Sequence, residues 1–190
     1  LAGAAKSSTL ELIANALPST QMLMLAFNKR IADALKDRMP KNCTCMTLNS
    51  LGHRAWGEVI GKRLTLDARK CGTILTEMIK ELPKMEQDIL WDSFSDMLRA
   101  CSHAKGAGHV PDTIADVRKC DPLMNDMELI DSLDEILSPL EQQLLLETLR
   151  RSMHLAFEGT IDFDDQLLMP TVFRAGFPMY PLVLVDETQD

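Results

Sequence analysis

The spacing of apolar residues changes period several times along the chain. From Ser7 to Leu17, Leu10, Ile13, Ala14 and Leu17 recur at helical spacing, and Pro18 ends the pattern. The next run, QMLMLAF at 21–27, is continuously apolar and predicts a buried strand. KRIADALKDRM at 29–39 returns to the helical period through Ile31, Ala34, Leu35 and Arg38, with Pro40 beyond. CTCMTL at 43–48 reads as a second strand, and SLGHRAWGEVIG at 50–61 as a helix broken by its glycines. This alternation predicts βαβ units and a parallel sheet. No strand is visible ahead of the first helix, where such a sheet calls for one.

The pattern then becomes purely helical. ILTEMIKEL, MEQDILWDSFSDMLRACSHA and SPLEQQLLLETLRRSMHLAFEG all carry the helical period, and no strand is predicted over 64–158. KGAGHVPD at 105–112 is a turn, and Ser138-Pro139 is a good helix start. DFDDQLLMPTVF at 162–173 predicts a short helix with acidic residues at its start, and LVLVDE at 182–187 a final strand. The simplest organisation is an α/β domain in three stretches. Residues 1–63 form the first part of the sheet domain, 64–158 a helical insertion, and 159–190 the return to the sheet.

Composition adds little to this picture, and charge adds more. Apolar residues make up 46% of 190, enough for a sizeable core, and no apolar run approaches the roughly 20 residues of a membrane helix. No signal peptide is visible, so a cytoplasmic or nuclear location is expected. Five cysteines without CxxC spacing suit reduced thiols, and Cys43 and Cys45 would share one face of a strand as core residues. The net charge of −8 argues against a simple polyanion binder, but it is unevenly spread. Residues 1–70 carry 11 Lys and Arg against 5 Asp and Glu, and residues 71–190 carry 9 against 23. A basic N-terminal part can present a local positive groove, or be an uneven surface with no ligand. His53, His103, His109 and His154 form no metal signature, Trp56 and Trp91 read as packing residues, and the 12 Met as core fillers.

Chemistry concentrates at the two ends. AGAAKSSTL puts the small residues Gly3, Ala4 and Ala5 before Lys6, Ser7 and Ser8 at a helix start. Small residues let backbone N–H groups approach phosphate oxygens, and the helix N-terminus adds positive potential. Lys6 can reach the β/γ-phosphates and Ser7 can ligate Mg²⁺. An ordinary helix start fits the same residues. At the other end an apolar strand delivers Asp186 and Glu187, suited to holding Mg²⁺ and polarising an attacking water. An exposed acidic turn is the plainer alternative. The two ends together point to a nucleotide site, because a phosphate loop predicts such a strand, and parallel sheets bind ligands at their C-terminal edge.

AGAAKSSTL, LAFNKRIADALKDR, TLNSLGHRA, IDFDDQLL and LVLVDETQD occur in that order. They resemble motifs I, Ia, Ib, the Asp-Phe-Asp-Asp-Leu element and motif II of the UvrD/Rep-like superfamily 1 DNA helicases. The last is the most specific, with Asp186, Glu187, Gln189 and Asp190 matching Asp-Glu-x-Gln-Asp. The resemblance implies a P-loop NTPase of RecA-like fold, its parallel sheet interrupted by a helical insertion subdomain. It implies ATP and Mg²⁺ as cofactors, and ATP-driven translocation on single-stranded DNA, 3′ to 5′, with unwinding at duplex junctions.

By the same resemblance, Gly3 to Ser8 cradle the nucleotide, Ser7 and Asp186 hold Mg²⁺, Glu187 is the catalytic base, and Gln189 couples the γ-phosphate to DNA. Asn28, Lys29, Thr47 and Ser50 would meet the DNA, though Asn28 and Ser50 equally suit helix caps. Ala5 stands in place of the usual glycine, Asn49 in place of His, and Phe27 directly abuts Asn28. A second RecA-like domain beyond residue 190 is implied, so residues 1–190 alone are expected to be inactive and poorly soluble. The alternatives are a non-catalytic DNA-binding or scaffold protein on a degenerate P-loop fold, or the helicase part of a recombination helicase-nuclease.

Overall fold

The computed structural model describes residues 6–120, 122–134 and 136–186, and of Lys6 and Ser7 the backbone alone. In chain order its elements are α1 (Lys6–Ala16), β1 (Met22–Ala26), α2 (Lys29–Lys36), β2 (Cys43–Thr47), α3 (Leu48–Ile60), β3 (Thr65–Leu66), α4 (Lys70–Lys80), α5 (Lys84–Asp92), α6 (Phe94–Gly106), α7 (Asp112–Ala115), α8 (Asp126–Ser132), α9 (Pro139–Glu158), β4 (Thr160–Ile161), α10 (Asp165–Val172) and β5 (Leu182–Val185). The protein is mixed α/β, with a small parallel sheet and many helices. It forms two compact units, one of residues 1–52 and 177–190 and one of residues 53–176. The expected insertion, 64–158, lies inside the second unit. Among the described residues no helix is long and apolar enough to cross a membrane.

In the first unit the strands are parallel in the order β2-β1-β5. All five residues of β1 are buried because apolar groups cover both of its faces. Met22, Met24 and Ala26 pack with Ala14 of α1, Ala32 and Leu35 of α2, Cys45 and Leu184. Leu23 and Leu25 point the other way, against Leu51, Met46 and Tyr180. Cys43 and Cys45 share the first of these faces. Asn42 secures the entry to β1 by donating from Nδ2 to the carbonyls of Leu17 (2.9 Å) and Thr20 (2.7 Å).

The 20-residue helix α9 organises the second unit. Ser138 and Glu141 form a capping box with Pro139 at the first turn, and the helix stops at Gly159, φ +102°. One side of α9 gives Leu144 to a cluster with Ile74, Leu75, Met78 and Met97. Another gives Leu145 and Leu149 to a cluster with Ala100, Cys101 and Leu129. Its last turns give Met153 and Ala156 to a third cluster with Trp56, Leu64, Ile161 and Met169. Trp56 is fully buried, donates from Nε1 to the Ala156 carbonyl at 3.0 Å, and meets Phe157 edge-on at a centroid distance of 5.5 Å.

Three expectations are corrected. α3 is continuous through Gly52 and Gly57; a Cβ at Gly57 would meet Leu64 and the Lys62 carbonyl at 3.7–3.8 Å, ordinary van der Waals contact. The 85–104 stretch is two helices, α5 and α6, divided at Ser93. A strand does exist within 64–158: β3 pairs in parallel with β4, Thr65 opposite Thr160 and Leu66 opposite Ile161. Two residues are too few to display a period of 2. Trp91 is 38% exposed and its ring meets that of Phe94 at a centroid distance of 5.3 Å, so its packing role is partial.

Gly159 and Gly72 make opposite demands on a Cβ. At Gly159 the backbone is left-handed and a Cβ would lie 2.9 Å from Lys62 Cε, whereas at Gly72 it would meet only Leu98, at 3.8 Å. Gly159→Ala should cost about 1–2 kcal/mol, and Gly72→Ala should stabilise by about 0.5 kcal/mol. Both tryptophans lie in residues 53–176, so urea unfolding followed by tryptophan fluorescence reports this unit.

Candidate functional site

Parallel pairing sends the ends of all three sheet strands to one edge. Ala26 lies opposite Thr47, and Leu25 opposite Val185. The residues that follow, Phe27-Asn28, Leu48 to Ser50, and Asp186, therefore emerge together. The Asp186 N–H donates to the Leu25 carbonyl at 2.9 Å, which extends the ladder by one bond and holds Asp186 at the strand tip, 7% exposed. Helix α1 reaches β1 through residues 17–21 and lays Leu10 and Ala14 against Met22, Met24 and Leu184.

The edge brings some expected site residues together and leaves others undecided. Asn28, Lys29, Thr47, Ser50 and Asp186 share it. Ser8 is exposed in the first turn of α1. Gly3, Ala4, Ala5, Glu187 and Gln189, and the side chains of Lys6 and Ser7, lie outside the described residues. Asn28 is the cap of α2: its Oδ1 accepts from Ile31 N–H at 2.9 Å. The cap of α3 is Thr47 rather than Ser50. Thr47 Oγ1 accepts from Ser50 N–H at 3.1 Å and donates to Ser50 Oγ at 2.9 Å. Phe27 stands 61% exposed beside them. Among the described residues no group of three or more His, Cys, Asp or Glu side chains could hold a metal ion. Mg²⁺ bound with a nucleotide needs only one or two protein oxygens beside phosphates and waters, and a carboxylate such as Asp186 is the ligand it prefers.

The helical unit holds a second constellation, centred on the Asp-Phe-Asp-Asp element. Asp165 N–H donates to Asp162 Oδ1 at 2.9 Å, and Asp162 N–H donates to Asp165 Oδ2 at 3.0 Å, a reciprocal clasp that starts α10. Two buried lysines meet these carboxylates. Lys70 Nζ donates to Asp165 Oδ2 and to the carbonyls of Ser152 (2.9 Å) and Thr160 (3.3 Å). Lys105 Nζ donates to Asp162 Oδ2, to Asp165 Oδ1 (2.8 Å) and to Ser152 Oγ (2.8 Å). Burial disfavours charge on each lysine, and the outcomes differ. Burial prevails at Lys70 and lowers its pKa, whereas Asp165, Cys71 and Asp162 around Lys105 raise it. At Asp162 burial is outweighed by Lys105 and Lys70, which hold its carboxyl below the usual range.

The sequence reading missed both lysines. The available signal was position: Lys70 shares the apolar stripe of Ile74, Leu75 and Met78, and Lys105 that of Met97, Cys101 and Ala104. A lysine inside a core stripe implies a buried counter-charge.

Asp165→Ala removes the carboxylate that Lys70 contacts and one of the two that Lys105 contacts, and should destabilise the unit by about 3–5 kcal/mol. Lys70→Met combined with Asp165→Leu removes charge and counter-charge together. It should cost at least about 1 kcal/mol less than the sum of the single changes. Urea unfolding of the four proteins of this cycle measures the difference, and strict additivity would contradict the pairing.

Comparison with protein-family models, with curated proteins and with solved structures finds no match for this chain.

Proposed function

We propose that this chain is the ATP-binding part of a UvrD/Rep-like superfamily 1 DNA helicase, a RecA-like P-loop sheet with a helical insertion. The observation that carries the reading is the common edge of the parallel sheet. There a buried carboxylate, two capped helix starts and an exposed aromatic come together.

In this reading the backbone N–H groups ahead of α1 and the Lys6 ammonium bind the triphosphate. Ser7 and Asp186 hold Mg²⁺, which when bound neutralises phosphate charge. Glu187 takes the proton of the attacking water, and Gln189 senses the γ-phosphate. The exposed side chains of Asn28, Lys29 and Ser50 meet the backbone of single-stranded DNA, where amide, ammonium and hydroxyl donors suit phosphate oxygens. Asn28 gives Oδ1 to its cap, so its amide N–H₂ is the group to offer a phosphate. A second RecA-like domain would supply the arginine for γ-phosphate charge, and duplex junctions would be the unwinding substrate.

Two titrations of the 190-residue chain separate the two ligands. With Mg²⁺ and a fluorescent ATP analogue, Lys6→Ala and Asp186→Asn should each weaken binding by about tenfold or more, roughly 1.4 kcal/mol. Glu187→Gln should bind as the unchanged chain does. With labelled oligo(dT), the Asn28→Ala/Ser50→Ala variant should lose affinity and the nucleotide variants should not. Binding of oligo(dT) should also fall linearly in log–log form with salt. Equal behaviour of every variant in both titrations would overturn the reading.

A further inference from the structure

We propose that the helical unit pairs with a second copy of itself, the exposed ridge of α5 on each copy seating in the groove between α4 and α6 of the other. The inference is independent of the nucleotide reading. The groove has a volume of about 870 Å³. Arg69, Gly72, Thr76 and Lys80 line it from α4 and its cap, and Phe94 and Leu98 from α6. Steps of three and four residues keep each set on one face of its helix. At 1.5 Å per residue, the wall from Arg69 to Lys80 runs about 16 Å. The glycine leaves that wall open, since a Cβ at Gly72 would meet only Leu98, at 3.8 Å.

The ridge is the outer side of α5. It carries Met85, 77% exposed, and Ile89, 62% exposed, four residues apart, while Leu90 turns into the core. Apolar side chains at i and i+4 on a free helix face are the anchors with which a helix enters an apolar groove. α5 spans 9 residues, about 13 Å, and fits the length of the groove. Ridge and groove adjoin. Gln87 Nε2 donates to the carbonyls of Lys80 (3.3 Å) and Leu82 (2.8 Å), which packs α5 on the end of α4. Trp91 of α5 meets Phe94 in the groove. A projection and a recess side by side on one surface suit a two-fold dimer, in which each copy fills the other's groove and the assembly closes.

Charge favours α5 as the occupant. The helix carries Glu86, Asp88 and Asp92 against Lys84 alone, and Lys84 is already paired with Asp88 at 2.6 Å. Glu86 lies three residues before Ile89 and Asp92 three beyond it, so the two acids left over flank the ridge. The groove offers the opposite sign. Arg69 and Lys80 stand exposed at its two ends and make no ion pair among the described residues. Of the acidic groups that line it, Asp162 is held by Lys105 and Asp164 accepts from Ser102 Oγ at 2.9 Å. Glu77 alone then stands against the two cations.

Sedimentation equilibrium of the 190-residue chain over a concentration series tests the pairing. A reversible dimer is expected, with a Kd tighter than about 100 μM. Met85→Lys combined with Ile89→Lys changes only exposed positions and should weaken the dimer at least about tenfold. Gly72→Phe, which fills the groove, should do the same. Arg69→Glu with Lys80→Glu should also weaken it, and adding Glu86→Lys and Asp92→Lys to that chain should restore it, a rescue that a purely structural role of these residues would not give. Circular dichroism checks the fold of each variant, and should Gly72→Phe fail to fold, the ridge and charge variants decide. A chain that stays monomeric to about 100 μM overturns the proposal. So does a dimer that keeps its Kd in the ridge variant, which would place the contact on another surface such as the edge of the sheet.

Discussion

Taking an ion out of water costs several kcal/mol unless a well-placed counter-charge offsets it, and the helical unit buries four. Lys70, Lys105, Asp162 and Asp165 are each less than a tenth exposed. The solution is geometric. Each lysine finds a carboxylate, each carboxylate also accepts a backbone N–H of the 162–165 clasp, and the remaining ammonium hydrogens go to Ser152 and Thr160. Because those groups come from α4, α6, α9, β4 and the start of α10, satisfying the charges fixes how these elements meet. The apolar clusters on either side of α9 fill volume, while the ionic cluster dictates angles.

The sheet unit obeys a different constraint. A strand covered on both faces must be apolar throughout, and β1 is. Its polar partners can therefore appear only where the strands end. Parallel pairing sends those ends to one edge, so polar groups far apart in sequence, Asn28, Thr47 and Asp186, share that edge. Two of them already serve the fold as helix caps. A site built on caps is rigid, because the residues that would touch a ligand are those that start α2 and α3.

Elements with a strong local signature were legible in the sequence. The apolar run of β1, the period of α2 and the Ser138-Pro139 start of α9 all reappear, the last as a capping box. Local ambiguity accounts for some of the rest. Thr47 and Ser50 are three residues apart at one helix start, and only geometry decides which of them caps. The two-residue strands β3 and β4 carry no period at all. The ionic cluster was hidden for another reason: Lys70 and Asp165 are 95 positions apart, and Lys105 and Asp162 are 57 apart. Pattern within a window cannot join them, although each lysine sits conspicuously on an apolar stripe. Of the residues proposed to meet nucleotide, Gly3, Ala4, Ala5, Glu187 and Gln189 lie outside the described residues.

The central functional claim is that ligand chemistry belongs to the C-terminal edge of the parallel sheet. Hydrogen–deuterium exchange of the 190-residue chain, with and without Mg²⁺ and ATP, tests it most directly. The account predicts slower exchange at the first turn of α1, at residues 27–29 and at Asp186, with residues 84–106 unchanged. Unchanged exchange at all three segments, or protection confined to residues 84–106, would contradict it.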